Sequence, residues 1–145
     1  MKSSTYNAFR SDAKFDGKGY SYASEMFPEK VISKGVEFNL AAADEVNAVK
    51  CKGQEIDLAQ GLYNSVYLLV ASTGNDLKTN FSVDGEEFDI VIPSYTGFIG
   101  QWGHTGYTEE FIKPADVAYV GTHKHNLILN KDLPYEFTYM YSVKI

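Results

Sequence analysis

The sequence predicts an all-β domain, an antiparallel β-sandwich. Three observations carry that expectation. Apolar and polar residues alternate with a period of two in run after run, the mark of a strand with one face in the core and one in water. Helical periodicity is nearly absent, with Ala41-Ala42-Ala43-Asp44-Glu45 good for a single turn at most. Between two alternating runs stands Asp84-Gly85, the two-residue connection that suits a type I′ hairpin turn, where both residues need positive φ.

Taken in order, Thr5 to Arg10 reads as a first strand, followed by a long loop from Asp12 to about Pro28 that holds Gly17 and Gly19. Val36 to Leu40 alternates and reads as a strand. Asn47 to Lys52 and Gln54 to Leu58 read as two short strands around Gly53. Ser65 to Ala71 is almost wholly apolar, which fits a central strand buried on both faces. Phe81-Ser82-Val83 and Glu87 to Ile92 flank the Asp-Gly turn, and Pro93 closes the hairpin. Val117 to Gly121 reads as another strand. Tyr135 to Val143 is the last, with Phe137, Tyr139 and Tyr141 on one face and Glu136, Thr138 and Met140 on the other. This makes about nine or ten short strands with no βαβ rhythm, the pattern of a sandwich. No repeat, linker or low-complexity tract divides the chain, so residues 1–145 read as one domain. In such folds the loops gather at the rims, where function tends to sit.

Composition narrows the partners. With a formal net charge of -6 and its charges scattered, the chain is a poor match for nucleic acid or an anionic membrane. No apolar run is long enough to span a bilayer. Aromatics reach 14% and tyrosine alone numbers 11, which leans towards a β-rich fold with aromatic surfaces. The single cysteine, Cys51, stands in a strand-like run and reads as a small buried hydrophobe rather than a nucleophile. The start Met1-Lys2-Ser3-Ser4 shows no signal peptide. It fits a cytosolic start, or a module cut from a larger secreted protein and given an initiator Met.

The richest stretch is Tyr95-Thr96-Gly97-Phe98-Ile99-Gly100-Gln101-Trp102-Gly103-His104-Thr105-Gly106-Tyr107. It holds the only tryptophan and four glycines, and it carries no charge. Glycines let the backbone bend and other groups come close. Aromatic rings beside neutral polar groups suit a ligand that is flat, partly apolar and rich in hydroxyls, such as a sugar. Phe98 and Ile99 read as core. Trp102 fits a stacking platform or a core position, with Tyr107 and Tyr95 as further platforms.

Two other stretches bear on metals. Phe15-Asp16-Gly17-Lys18-Gly19-Tyr20-Ser21-Tyr22 is a glycine-bearing loop whose carbonyls, with Asp16 and Ser21, suit a hard cation such as calcium. A distant acid, Glu136, is a candidate to complete the shell. The plainer reading is an Asp-Gly turn. In Thr122-His123-Lys124-His125-Asn126 the two histidines are two apart, so in a strand both imidazoles face one side. They suit a transition metal, with His104 as the only other imidazole, or hydrogen bonds to a ligand. No Glu or Asp stands at a familiar offset. Adjacent acids such as Glu109-Glu110 would face opposite sides of a strand, and no nucleophile motif or phosphate loop is present. This is the inventory of a binding module rather than of an enzyme.

Several of these runs resemble β-sandwich modules appended to bacterial glycoside hydrolases: Asp16 to Tyr22, Asn47-Ala48-Val49, Gly53 to Leu58, Tyr63-Asn64 before Val66 to Val70, Thr96 to Trp102, Lys113 to Tyr119, and Thr122 to His125. The likeness runs from about Tyr6 to Tyr141. It is to the galactose-binding-domain-like superfamily, and most closely to carbohydrate-binding modules of family 62. The resemblance implies a jelly-roll sandwich with a structural calcium near Asp16, Ser21 and Glu136. It also implies a non-catalytic role: binding galactose or a related sugar of plant polysaccharides and targeting an attached glycoside hydrolase outside the cell.

In that reading Trp102, Tyr107 and Tyr95 stack on the sugar, while Gln101, His104, His123, His125 and Asn126 read its hydroxyls. Arg10 is the only arginine, so an arginine clamp comes from it or is absent. The alternatives are a structural or protein-interaction sandwich domain, and a small β-barrel metalloenzyme using His123, His125 and His104.

Overall fold

The computed structural model describes residues 4–5, 15–43, 45–97 and 115–145. Those residues form nine strands and no α-helix: β1 (Ser4–Thr5), β2 (Tyr20–Ala23), β3 (Lys30–Ser33), β4 (Val36–Asn39), β5 (Tyr67–Val70), β6 (Leu77–Val83), β7 (Glu86–Ile92), β8 (Asp116–Asn126) and β9 (Lys131–Lys144). A single 3-10 turn, Ser24–Met26, follows β2. The expected all-β sandwich stands. Five strands form one sheet in the order β1-β2-β8-β9-β5, and β3–β4 and β6–β7 are separate hairpins. Every pairing is antiparallel except β1 with β2.

The Asp-Gly hairpin is present as predicted. Asp84 (φ 51°) and Gly85 (φ 82°) both adopt positive φ, and the turn sets Val83 opposite Glu86 and carries the register through to Leu77 opposite Ile92. Val36–Asn39 is also a strand, as its alternation requires.

Other expectations fail for identifiable reasons. The stretch read as a loop from Asp12 to Pro28 contains β2, a strand of four residues whose flanking glycines mask it. The hairpin partner β3 was not foreseen. The two strands expected between Asn47 and Leu58 do not form. There Gln54 accepts from the Lys52 amide (2.6 Å) and donates to the Lys50 carbonyl (2.9 Å), closing a local turn about Gly53 instead of a ladder. Cys51 lies in this segment and is exposed, not buried. The apolar run at β5 is an edge strand bonded to β9, with its residues only partly buried. In the short acidic turn the Ala42 carbonyl accepts from the Glu45 amide and from the Asn47 side chain.

The core is aromatic. Phe15, Tyr22, Tyr95 and Met140 form its buried centre, with Tyr20, Phe27, Leu40, Ala48, Leu69, Ala71 and Tyr119 against them. Rings meet edge-on or tilted, with centroids 5.0 Å apart for Phe15–Tyr22 and 5.1 Å for Phe15–Tyr95, the arrangement that aligns ring edges with ring faces. The tyrosine hydroxyls do not waste their polarity. Tyr22 donates to the Tyr139 carbonyl (2.7 Å), tying β2 to β9 within the sheet, while Tyr119 donates to Met26 (2.7 Å) and Tyr141 to Ser94 (2.9 Å), joining the sheet to neighbouring segments. Burial raises the pKa of Tyr22, Tyr139 and Tyr141 above the ordinary value, and that of Tyr119 to about 12.

Between β8 and β9 the ladder is interrupted. Gly121 faces Thr138 and His123 faces Pro134, so three residues of β9 (Tyr135, Glu136, Phe137) lie against one of β8 (Thr122). Tyr135 takes a left-handed φ of 66° there. Gly121 is required on its side of the irregularity, since a Cβ would lie 2.4 Å from Thr138 Oγ1.

Candidate functional site

The distal half of the β8–β9 hairpin brings two histidines and an aspartate together. His123 and His125, two apart on β8, share a face as the strand period requires. Both reach Asp132, the residue directly opposite His125 on β9. His125 Nδ1 is 2.9 Å from Asp132 Oδ1 and His123 Nε2 is 3.9 Å from the same oxygen. His123 Nε2 also lies 2.8 Å from Glu25 Oε1. Glu25, His123 and Asp132 thus offer three ligand atoms within 4.8 Å of one another.

The 3-10 turn that presents Glu25 is held to β8 at further points. Tyr119 donates to the Met26 carbonyl, and the Thr122 hydroxyl donates to Met26 Sδ (3.1 Å). That second bond has a consequence for His123. Thr122 Oγ1 stands 3.2 Å from His123 Nδ1. A hydroxyl has one hydrogen. With it directed at sulfur, Oγ1 accepts from Nδ1–H, and Nε2 is left as the nitrogen that faces the two carboxylates. The side chains of Glu25 and Asp132 are 42% and 35% exposed, and that of His123 17%, so the group is open to solvent on one side. His125 is 1% exposed and supports Asp132 from beneath.

Neither Glu25 nor Asp132 was among the sequence candidates. Asp132 carried a detectable signal: a hairpin between the His pair and the last strand sets an acid across from a histidine. Glu25 carried none, being nearly a hundred residues away and brought in by the β2–β8 pairing.

The other expected site residues fall elsewhere. Tyr95 is buried in the core and donates to Asp16 Oδ2 (3.2 Å), so it is no platform; burial first, then the Asp16 carboxylate, raises its pKa far above the ordinary tyrosine value. Asn126 is buried and caps the hairpin turn, accepting from the Leu129 amide (3.0 Å). His125 is likewise internal and does not read a ligand's hydroxyls. Asp16 Oδ1 accepts from the amides of Lys18 (2.8 Å) and Tyr20 (3.0 Å), closing the Asp-Gly turn from within. Ser21 is fully buried, and Glu136 is ion-paired with Lys124, whose ammonium also sits 4.4 Å from the Tyr20 ring centroid. Each expected calcium ligand is therefore already engaged. Arg10, Gln101, Trp102, His104 and Tyr107 lie outside the described residues.

Beside this group stands Tyr135, 84% exposed at the bulge. Its uncovered aromatic ring stands one residue from Pro134, which pairs with His123.

The chain belongs to the AziU2-like β-sandwich domain family, whose model it matches over residues 1–145. No curated protein matches the chain.

Proposed function

We propose that this AziU2-like β-sandwich domain is a non-catalytic carbohydrate-binding module, with its sugar contact at the β8–β9 bulge. The observation that supports the reading is Tyr135. A non-glycine residue at left-handed φ costs on the order of 1–3 kcal/mol and persists where the surroundings hold it. Here it turns a ring of mixed polarity out into water. A pyranose presents a patch of C–H groups to such a ring and hydroxyls to the polar groups around it. Thr122, His123 and Glu136 are the polar side chains nearest along the two strands. Galactose, whose axial O4 gathers C–H groups on one face, fits this scheme, as does the resemblance to family 62 modules. A single site of this size binds weakly, with Kd on the order of 10⁻⁵ to 10⁻³ M.

Affinity electrophoresis against galactomannan, xyloglucan, arabinogalactan, xylan and cellulose tests the reading. Retardation by the galactose-bearing polymers, lost in Tyr135→Ala, is the expected result. Retardation by xylan or cellulose alone removes galactose and keeps the module. No retardation by any polymer removes the sugar reading.

A second reading then takes over, that of a protein-interaction sandwich domain. It is favoured by the segment between β4 and β5, where Val46, Val49, Ile56, Leu58, Leu62 and Tyr63 are exposed. Apolar side chains gathered in one exposed segment are a mark of interaction surfaces. Co-purification or cross-linking with a neighbouring domain of the parent protein would separate the two.

A further inference from the structure

We infer that Glu25, His123 and Asp132 form a binding site for a divalent transition-metal ion of the zinc class. The site does not rest on the sugar reading, whose carrying residue, Tyr135, is not among its ligands.

The donor set decides the class of ion. One imidazole nitrogen and two carboxylate oxygens suit zinc, or manganese and iron in the same oxidation state. Calcium prefers six to eight oxygens, and a soft copper(I) prefers sulfur. Two carboxylates balance the charge of a divalent ion, so the neutral imidazole adds affinity without adding charge.

Geometry supports the assignment. Ligands at about 2.0–2.2 Å from a tetrahedral ion lie about 3.3 Å from one another. The observed separations, 2.8 Å for His123–Glu25 and 3.9 Å for His123–Asp132, bracket that value. Small side-chain rotations therefore suffice. The exposed sides of Glu25 and Asp132 leave the fourth position to water.

The outer shell is built as well. Metal-bound imidazoles commonly donate through the other ring nitrogen to a fixed acceptor, and ligating carboxylates are themselves hydrogen-bonded. His123 Nδ1 faces Thr122 Oγ1, whose own hydrogen is committed to Met26 Sδ. That arrangement holds the Nδ1 proton on Thr122 and leaves Nε2, which meets the Glu25 carboxylate at 2.8 Å, as the nitrogen whose proton the metal ion would replace. His125, nearly fully buried, fixes Asp132 through Oδ1. A bound ion would join the 3-10 turn after β2 to the far end of β8–β9, so it should stabilise the fold with the logarithm of the zinc concentration above the Kd.

The test uses the full chain carrying Cys51→Ser, because Cys51 is an exposed free thiol and binds zinc in its own right. Zinc is titrated alone, by calorimetry and by thermal unfolding, and cobalt(II) is titrated by visible absorption. The expected result is one ion per chain and a melting temperature that rises with zinc. The cobalt spectrum should show few-coordinate nitrogen and oxygen ligation. Glu25→Gln and Asp132→Asn keep the side-chain shapes and should each weaken zinc at least about tenfold, with circular dichroism unchanged. Thr122→Val touches no ligand atom and should cost about 10–100-fold, as outer-shell changes do. Ring-nitrogen NMR should place zinc on Nε2 of His123, not Nδ1. No stoichiometric binding overturns the inference, and so does binding that survives both carboxamide variants. Zinc found on Nδ1 overturns the tautomer argument and the site with it.

Discussion

The strands β8 and β9 run through two different chemistries. In their proximal half Tyr119, Tyr139 and Tyr141 are wholly or largely withdrawn from water, and Tyr119 and Tyr141, like Tyr22 beside them, each direct a hydroxyl at one backbone carbonyl. In the distal half His123, His125 and Asp132 meet one another and Glu25. The bulge at Tyr135 divides the two. A hydroxyl bonded to a carbonyl is a finished interaction: neutral, satisfied, and of use only to stability. Imidazoles opposed by carboxylates are not finished in that sense, since a proton or a metal ion can stand between them. One strand pair thus spends its aromatics on the fold and its titratable groups on the rim.

Alkaline pH should break the first half most completely. The tyrosines have raised pKa values in the fold, against about 10 in the unfolded chain. A group whose folded pKa is raised gives stability that is full below the unfolded value and is lost as pH climbs through the folded one. The domain should therefore hold its melting temperature to about pH 9–10, then lose it steeply through pH 12, where Tyr119 ionises. Followed ring by ring in NMR spectra, Tyr22, Tyr119 and Tyr141 should become tyrosinate only together with the loss of β-sheet circular dichroism. Tyrosinate at any of these three well before unfolding would show that these rings are not sealed.

Tyr22→Ala should be next in size. It removes the ring that meets Phe15, Phe27, Tyr95 and Tyr119, and large-to-small changes of aromatic residues cost about 3–5 kcal/mol. Urea unfolding measures it. Gly121→Ala should follow at about 1–3 kcal/mol, because the new Cβ collides with Thr138 Oγ1 unless the strands shift. Tyr22→Phe keeps the ring and removes one satisfied hydroxyl, so about 1 kcal/mol is expected.

The smallest effect belongs to the rim. Glu25→Gln removes the carboxylate charge from the contact with His123, and contacts of partly exposed charged side chains contribute about 0–1 kcal/mol. A stability loss near that of Tyr22→Ala would erase the contrast between the halves. One unpartnered group sharpens it from the other side. Among the described residues Thr138 Oγ1 is buried with no hydrogen-bond partner, so Thr138→Val should leave stability unchanged or raise it slightly.

Local chemistry made much of the fold legible. Period-two alternation identifies β4, the last three residues of β6, nearly all of β7 and most of β9, and Asp84-Gly85 specifies its hairpin because its backbone preference needs no outside help. Those are interactions between residues a few positions apart. The strands between Asn47 and Leu58 were read from the same alternation and do not form, since alternation says which side chains would share a face and not whether another strand is there to pair. The apolar run of β5 was read as central and lies at an edge for the same reason.

At the rim, the spacing of His123 and His125 dictates by itself that both imidazoles leave β8 on one side. The sequence did not disclose what they meet. Asp132 reaches them through hairpin register, and Glu25 through the pairing of β2 with β8. Tyrosine content was read as surface, yet much of it lies inside, because a hydroxyl becomes compatible with a core only when a carbonyl from another segment is placed against it. Strand period and turn type are properties of neighbouring residues, and the sequence alone determined them. Which acid faces which imidazole, and which tyrosine finds a carbonyl, depends on segments far apart in the chain, and only the tertiary structure decided it.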